Sequence, residues 1–261
     1  MTLRSDQTIA ARGRVSLLAE ANGNEQVTQA LLGEPLHVLE DAGHGWVRVR
    51  TTHDDYEGFA RWNDLGEQGG ETTLVTTLRG HLYAAPRVSA PILDVVSYGS
   101  RLSKLGGEPI VERGRSWWRV AYRGGEAYVG EGVFEQSVAV SGDLGFARRF
   151  LDVPYEWGGR SAWGLDCSGL TQLVFGLGNL PRDASQQEDF VPKVSEPRAG
   201  DLAFFAGHVG IMLSDRDMLH ANATHMRVTI ETFGEGEHGT RLAQSVRAFG
   251  RWDGRAYREA K

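Results

Sequence analysis

The chain has 261 residues, 41% of them hydrophobic, and a formal net charge of −6 at pH 7. That length and composition allow a sizeable core. The acidic balance, without a basic patch carrying interleaved aromatic residues, excludes nucleic acid as the expected partner. The 34 glycines and the scarcity of long helical patterns favour a β-rich, turn-rich chain of two or three domains.

The N-terminal segment, MTLRSDQTIAARGRVSLLAE, contains no apolar core of signal-peptide length, because charged and polar residues interrupt it repeatedly. No run of eighteen apolar residues occurs in the sequence, which predicts no membrane insertion. A single cysteine forms no internal disulfide, so either redox compartment is tolerated and a reducing one is favoured. A cytoplasmic location is therefore predicted.

The first half of the chain contains a weak internal repeat. A W-x-R-V strand, a turn, and then an aromatic residue two positions before a glycine occur in GWVRVRTTHDDYEGF and again about 71 residues later in SWWRVAYRGGEAYVG. The short alternating strands PLHVLE, WVRVR and WWRVAY fit two small barrels. We predict domains at 1–68, 69–138 and 139–261, with linkers at ARWNDLGEQGGETT and EQSVAVSGDLG.

Cys167 is the only cysteine and lies in GLDCSGLTQLVFGLG, where a glycine-bearing loop meets a helical pattern. The apolar residues at i, i+3, i+4 and i+7 predict an amphipathic helix that stops at Gly178; they are Leu170, Leu173, Val174 and Leu177. A helix N-terminus stabilises a thiolate, so the pattern predicts a lowered thiol pKa and a nucleophile. From position alone, a small buried hydrophobic role for Cys167 stays open.

A thiolate peptidase also needs a general base and a third polar group that orients it. His208 opens the strand-like run HVGIML and His220 lies in MLHAN, past the polar turn SDRD, so both belong to one predicted β-hairpin. Their even separation allows a shared face only if the connecting loop has an odd number of residues or the ladder carries a bulge. His225 is a rival for the third position. The remaining histidines are interpreted as structural or solvated: His37, His44, His53, His81 and His238.

Three segments resemble, in order, the NlpC-type cell-wall peptidases, papain-like cysteine enzymes that cut bacterial murein peptides. They are FLDVPYEWGGRSAWGLDCSGLTQLVFGLGNLPRDASQQ, PRAGDLAFFAGHVGIML and LHAN, within about residues 143 to 252. The resemblance implies an α+β fold, with a papain-like cysteine peptidase domain preceded by two small all-β barrels. The barrels themselves resemble the bacterial Src-homology-3-like domains that precede NlpC-type catalytic domains.

The resemblance implies a triad in which Cys167 is the nucleophile, His208 the base and His220 the residue that orients it. Backbone N–H groups around Cys167 and Ser168 are the expected donors to the oxyanion, because the start of a helix leaves them free. Tyr155, in PYEWGG, either assists at this site, as the resemblance implies, or is a packed aromatic.

The segments EQVTQALLGEPLHVLE, GWVRV and DDYEGF resemble the first barrel of the γ-D-glutamyl-L-diamino-acid endopeptidases, also called dipeptidyl-peptidase VI, which trim murein peptides having a free N-terminal L-alanine. The resemblance implies that Glu25, Tyr56 and Asp183 bind the substrate ammonium, which needs carboxylate partners and hydrogen-bond acceptors if it is to be buried. Glu25 as a solvated turn residue and Tyr56 as a barrel aromatic are the alternatives.

Further polar residues near Cys167 have a structural as well as a functional interpretation. Ser185 and Glu188 predict a capping box at the start of a short helix, so Ser185 is either structural or substrate-binding, and Asp183 is not explained by capping. Asp166 and Ser168 either bind the peptide or brace the turn, with an N-cap role open to both. Arg182 either pairs with the α-carboxylate of the D-glutamyl residue or is a surface arginine, as many arginines are.

The predicted function is that of a cysteine endopeptidase hydrolysing the γ-D-glutamyl bond to diaminopimelate or lysine in murein peptides that begin with free L-Ala, in cell-wall peptide recycling. No metal or cofactor is expected, since one cysteine and no H-x-x-x-H or C-x-x-C spacing leave no ligand cluster. One alternative is a secreted hydrolase of intact peptidoglycan that uses the barrels as wall anchors. A non-catalytic wall-binding protein, and transfer of the acyl group to an amine in place of water, are the others.

Overall fold

The computed structural model describes residues 7–67, 70–134 and 139–259, which form two compact units. Of these residues, the first unit holds 7–52, 56–67, 70–134 and 161–163, and the second holds 53–55, 139–160 and 164–259. The predicted domain boundary at 68/69 and the one at 138/139 involve residues 68–69 and 138, which lie outside the described ranges. The first four residues of the predicted second linker, 135–138, also lie outside them. The division into three domains therefore stays a prediction.

The N-terminal part of the first unit is a seven-stranded antiparallel sheet with the order β3-β2-β6-β5-β4-β1-β7. Its strands are Thr8–Ala11 (β1), Val15–Leu18 (β2), Gln26–Ala30 (β3), Pro35–Gly43 (β4), Trp46–Thr51 (β5), Glu57–Arg61 (β6) and Leu65–Glu67 (β7). The predicted strands PLHVLE and WVRVR are confirmed as β4 and β5. Alternate residues of these strands, such as Leu36, Val38, Val47 and Val49, are buried in one core, as expected for a curved sheet with one covered face.

The first predicted linker is wrong over residues 60–67. Residues 60 and 61 complete β6, Trp62–Asp64 form one turn of 3-10 helix, and β7 pairs with β1. Leu65 explains the pairing, because its side chain is buried in the core of the first sheet.

The second sheet of this unit has five antiparallel strands in the order β10-β9-β14-β13-β12, with β8 and β11 as a separate pair. The strands are Thr73–Leu74 (β8), Arg79–Tyr83 (β9), Ile92–Ser97 (β10), Arg101–Leu102 (β11), Ile110–Glu112 (β12), Arg115–Tyr122 (β13) and Gly125–Gly130 (β14). The sequence repeat corresponds to two equivalent hairpins, β5–β6 and β13–β14, each followed by a 3-10 turn, at Trp62–Asp64 and Glu131–Val133.

The second unit contains helices beside a six-stranded antiparallel sheet with the order β17-β22-β18-β19-β20-β21. Its helices are Leu144–Arg148 (α1), Cys167–Phe175 (α2), Ala184–Phe190 (α3) and Gly236–Ser245 (α4). The remaining strands are Arg160–Ser161 (β15), Gly164–Leu165 (β16), Lys193–Val194 (β17), Leu202–Phe205 (β18), His208–Met212 (β19), Asp217–Asn222 (β20), Arg227–Thr232 (β21) and Ala248–Gly250 (β22). Within the described ranges, no helix has the length and apolar character needed to cross a membrane.

Helix α2 differs from the predicted amphipathic helix in two respects. Its last residue is Phe175, and the C-cap Gly176, with a φ of 101°, ends the helix two residues before Gly178. All nine of its residues are buried, because α2 packs against α1 and α3 as well as β19 and β20. The polar residues Ser168, Thr171 and Gln172 are therefore buried as well, and α2 has no solvent-exposed face.

Candidate active site

Cys167 is the first residue of α2, and the preceding residue caps the helix. The carboxylate of Asp166 accepts the N–H of Gly169 at 2.7 Å and the N–H of Gly158 at 2.9 Å. The PYEWGG segment thus passes directly over the start of α2. A Cβ atom at Gly169 would lie 2.3 Å from the carbonyl oxygen of Gly159, so this approach requires a glycine.

A buried ion pair reinforces the same turn. Arg182 is only 2% exposed, and its guanidinium donates to both carboxylate oxygens of Asp166, at 3.1 and 2.7 Å, and to Oγ of Ser168 at 2.8 Å. A surface position for Arg182 is therefore wrong: its guanidinium is buried, and the carboxylate of Asp166, sixteen residues earlier in the chain, compensates its charge. These contacts favour the bracing alternative for Asp166 and Ser168 over direct binding of the peptide.

His208 and His220 meet on one face of the sheet, with Nε2 of His208 2.8 Å from Nδ1 of His220. In the β19–β20 ladder the last pair, Met212 with Met218, leaves five residues in the connection, an odd number, so the condition set by the sequence is met. Gly210 lies on the same face, and a Cβ atom there would stand 3.2 Å from Cβ of His220. The glycine of HVGI thus leaves room first for the Met218 side chain and then for that of His220.

The nucleophile lies beside the first residues of β19. The backbone N–H of Val209, the residue after His208, lies close enough to the sulfur of Cys167 to lower the pKa of the thiol. Because Nε2 of His208 is engaged by His220, Nδ1 is the nitrogen left to take the thiol proton. His220, and not the rival His225, is therefore in the position of the third residue.

The other ring nitrogen of His220 has a partner that the sequence did not indicate. Its Nε2 lies 3.2 Å from Nδ2 of Asn222, and the same amide nitrogen donates to Oγ1 of Thr229 at 2.8 Å. His220 is wholly buried, and Asn222 nearly so. A chain of polar contacts thus runs from His208 through His220 into the β20–β21 hairpin.

Burial controls the protonation of the reacting pair. It raises the pKa of the Cys167 thiol to about 12, as does the charge of Asp166, against the opposing effect of the N–H groups of Val209 and Ser168 and of Arg182. Burial likewise lowers the pKa of His208 to about 4, together with repulsion from His238. The prediction of a lowered thiol pKa is wrong for the free protein, since desolvation outweighs the helix terminus. The Cys167 thiol and the His208 imidazole are therefore both neutral near pH 7.

Tyr155 is half-buried and close enough to the nucleophile for the two to interact electrostatically. Burial raises the pKa of its phenol to about 12, and the negative charges of Cys167 and Asp166 act in the same direction. The phenol therefore keeps its proton at neutral pH and is a hydrogen-bond donor. This favours the site role of Tyr155 over that of a packed aromatic.

Asp183 is the N-cap of α3, and the capping box closes with Gln186. The predicted box of Ser185 and Glu188 is therefore wrong by two residues, and Asp183 is explained by capping after all. Ser185 is an exposed residue in the first turn of α3. The carboxylate of Asp183 is half-buried and lies close enough to Arg182 to raise its pKa.

Glu25 and Tyr56 belong to the first unit. Glu25 is exposed just before β3, and its carbonyl oxygen accepts the N–H of Ala19 at 3.0 Å. Tyr56 is half-buried just before β6, and its backbone N–H donates to Oγ1 of Thr51 at 2.9 Å. Their binding of a substrate ammonium stays a prediction.

One group of residues in the second unit could hold a metal ion, although the sequence spacing indicated none. The potential ligand atoms of His220, Glu231 and His238 all lie within 4.8 Å of one another. His238 was interpreted as structural or solvated in a polar turn; it lies in α4, and its ring stacks on that of His220 with 5.6 Å between centroids. The ligands come from β20, β21 and α4, so no short motif joins them.

Comparison with known proteins agrees with this architecture. The profile of the NlpC/P60 family matches residues 152–247, and that of the bacterial dipeptidyl-peptidase SH3 domain matches residues 17–65. The γ-D-glutamyl-L-lysine dipeptidyl-peptidase of Bacillus subtilis (strain 168) is 30% identical over 250 residues, which cover 85% of this chain and 81% of that protein. The chain belongs to the NlpC/P60 family.

Two further relatives of this NlpC/P60 protein cover nearly its whole length. Dipeptidyl-peptidase 6 of Lysinibacillus sphaericus is 26% identical over 251 residues, 87% of this chain and 92% of the relative. The crystal structure of an NlpC/P60 family protein from Bacillus cereus ATCC 10987 superposes with a TM-score of 0.73 at 21% identity, covering 94% of this chain and 99% of the other, and shows the shared fold. The predicted family, the α+β papain-like fold class and the prediction of a cysteine peptidase are confirmed.

Proposed function

We propose that this NlpC/P60 protein hydrolyses the γ-D-glutamyl bond to a diamino acid, diaminopimelate or lysine, in murein peptides that begin with L-Ala-γ-D-Glu. The observation that carries the proposal is the 2.8 Å contact between Nε2 of His208 and Nδ1 of His220. His208 opens the strand whose next residue, Val209, acts through its N–H on the pKa of the Cys167 thiol. The choice of bond is supported by the relatives from Bacillus subtilis and Bacillus cereus, both named γ-D-glutamyl-L-lysine dipeptidyl-peptidase.

In the first half of the reaction, the sulfur of Cys167 attacks the γ-carbonyl carbon of the D-glutamyl residue and its proton passes to Nδ1 of His208. N–H groups at the start of α2 and the phenol of Tyr155 are the proposed donors to the oxyanion. The His208 imidazolium then protonates the amine of the diamino acid, which leaves as the C–N bond breaks. A thioester remains on Cys167.

In the second half, His208 removes a proton from water as the water oxygen attacks the thioester carbonyl. The C–S bond breaks, the dipeptide leaves as a free acid, and the proton held by His208 returns to the sulfur. In both halves of the reaction, His220 keeps the His208 ring in position through the hydrogen bond between Nδ1 of His220 and Nε2 of His208.

Recognition of the free substrate ammonium requires a carboxylate, since burying an unpaired ammonium is prohibitively costly. The proposal assigns this role to Asp183, which caps α3 and is half-buried. Glu25 and Tyr56 are further candidates, supported by the resemblance of their sequence segments to the first barrel of this group of endopeptidases.

A peptidase that selects free N-terminal L-alanine acts on peptides already released from the sugar, because in intact murein this nitrogen is an uncharged amide. The proposal therefore places the enzyme in recycling of imported wall peptides, in the cytoplasm. Its partner there is the murein peptide itself.

The test is incubation of the full chain with L-Ala-γ-D-Glu-diaminopimelate, its N-acetyl form and intact peptidoglycan, with products weighed by mass spectrometry. We expect free diaminopimelate from the unblocked peptide, much less from the N-acetyl form, and none with Cys167→Ala. Equal cleavage of the two peptides contradicts the recycling role. Release of fragments from intact peptidoglycan alone supports a wall hydrolase, and the absence of any product contradicts the proposed function.

A further inference from the structure

Three side chains of the second unit place their polar atoms at the corners of a small triangle. Nε2 of His225 lies 3.1 Å from Oε1 of Glu231, Nδ1 of His238 lies 3.6 Å from the same oxygen, and the two nitrogens are 3.2 Å apart. Around a tetrahedral zinc ion, with bonds of about 2.0–2.2 Å, neighbouring ligand atoms stand roughly 3.3 Å apart. The triangle therefore already has nearly the size of one face of a zinc coordination sphere.

His220 lies beside two members of the triangle, Glu231 and His238, and is the fourth ligand that we assign. One of its ring nitrogens lies within 4.8 Å of the ligand atoms of Glu231 and His238. Its Nδ1 is engaged by His208, which leaves Nε2 for a metal. The Nε2 contact with Asn222 would give way, and the Asn222 amide would keep Oγ1 of Thr229 as its partner.

The electrostatic setting suits a cation. The side chain of Glu231 is 17% exposed, and within the described part of the chain its ion pairs are with histidines and not with lysine or arginine. The side chains of His238 and His225 are 15% and 37% exposed, so an ion from solvent has access to the triangle. Three imidazoles and one carboxylate are ligands typical of Zn²⁺.

We propose that these four residues, His220, His225, Glu231 and His238, form a binding site for a divalent transition-metal ion of the zinc type. We name this group the histidine cluster. It shares His220 with the proposed catalytic triad, so the metal site and the peptidase site are coupled.

The coupling of the two sites predicts that metal binding lowers the peptidase activity. A metal on Nε2 of His220 fixes the ring proton on Nδ1, which then donates to Nε2 of His208. The proton of the neutral His208 ring must then lie on Nδ1, the nitrogen that has to accept the thiol proton. The Asn222 amide N–H that faces Nε2 favours the same tautomer, but a hydrogen bond can break during turnover, whereas a bound metal ion makes that tautomer permanent. Metal binding therefore inhibits the peptidase by locking its base in the wrong tautomer.

Binding is tested first in the Cys167→Ala variant, which removes the thiolate as a competing ligand. ZnCl₂ titrated by calorimetry into this variant should bind at one ion per chain, and Co²⁺ in its place should give d–d absorption without a thiolate charge-transfer band. His238→Asn and Glu231→Gln should each weaken binding by roughly 10-fold or more. His44→Asn is the matched control, because it removes one exposed imidazole from a turn of the first sheet.

The outcomes separate the metal site from a simple hydrogen-bonded cluster. The proposal is overturned if the Cys167→Ala variant does not bind zinc. It is also overturned if the His238→Asn and Glu231→Gln variants bind zinc as tightly as the His44→Asn control. Glu231→Gln is nearly isosteric, so its effect is not confused with a failure to fold, and circular dichroism verifies this.

The expected inhibition of the peptidase by zinc rests on the proposed function and is measured in a separate experiment. In the wild-type chain, zinc should slow cleavage of L-Ala-γ-D-Glu-diaminopimelate and EDTA should restore it, whereas His238→Asn should resist zinc when compared with its own metal-free rate. Equal sensitivity of both proteins overturns the coupling. If the peptide is not cleaved at all, the proposed function fails while the calorimetry still decides the metal site.

Discussion

Arg182 and Asp166 form a buried ion pair in which both carboxylate oxygens accept from the guanidinium, at 2.7 and 3.1 Å. Asp166 also caps α2 one residue before the nucleophile. The pair therefore joins the start of α3 to the turn that presents Cys167. The position of the sulfur therefore depends on this buried ion pair.

Replacing Arg182 by glutamine should destabilise the protein by about 3–5 kcal/mol, because it leaves the Asp166 carboxylate buried with its charge uncompensated. Urea unfolding measures this loss. The control is Arg241→Gln, which removes an exposed i,i+4 pair with Glu237 and should cost about 0.5 kcal/mol or less. Equal losses in the two variants would mean that the buried pair adds nothing to stability.

Gly210→Ala should reduce kcat with little change in KM. The new methyl group overlaps the Met218 side chain and stands 3.2 Å from Cβ of His220, so β20 must move and the His220 ring moves with it. Misplacement of a catalytic group by about 1 Å costs up to about 100-fold in rate. Gly107→Ala is the control, since a Cβ atom there has open space around it. A normal kcat for Gly210→Ala would show that the sheet absorbs the methyl group without moving His220.

The pH profile of kcat/KM should remain flat well below neutral pH. His208 acts as a base only when neutral, and because its pKa is lowered to about 4, activity should fall about 10-fold per unit only below that pH. Above it the thiol stays protonated across the neutral range, since its pKa is raised to about 12. Rates measured in EDTA from pH 3.5 to 9 test this. An acidic limb with an apparent pKa near 6.5 contradicts burial as the controlling effect.

Asp183→Asn separates the two roles of this residue. Asparagine also caps helices, so α3 should stay folded, whereas the negative charge is lost. We expect KM for the free-amine peptide to rise about 10-fold, in line with the loss of a charge-assisted hydrogen bond, with no change for the N-acetyl form. Asp189→Asn, an exposed change on the same helix, is the control. A similar rise for both peptides assigns Asp183 to structure alone.

The strands and the hairpin of the two histidines follow from local patterns and were predictable. Alternation over five or six residues identified β4, β5 and β13, and the parity of the β19–β20 connection set the condition for His208 and His220 to share a face. Strand β7 was missed because three residues carry too little pattern, and its partner β1 lies more than fifty residues earlier. The end of α2 was misplaced because Leu177 fits the helical period although Gly176 has already left it.

The candidate-site residues that stand in a sequence motif were predictable. The properties that depend on how deeply a residue is buried were not. Cys167, His208 and His220 stand in recognisable segments, whereas Arg182 shows its role only once Asp166 lies beside it. The thiol pKa reverses direction because a helix terminus and burial oppose each other, and the depth of burial is set by tertiary packing. His238 joins the site from α4, a helix with no spacing relation to His220 in the sequence.

Acid-quenched mass spectrometry of the intact protein, taken within one turnover of L-Ala-γ-D-Glu-diaminopimelate, tests the central claim most directly. We predict a population heavier by the L-Ala-γ-D-Glu acyl group, located by proteolysis on the peptide that contains Cys167. Turnover without an adduct on that peptide, or an unchanged rate in Cys167→Ala, would contradict thioester catalysis by Cys167 and His208.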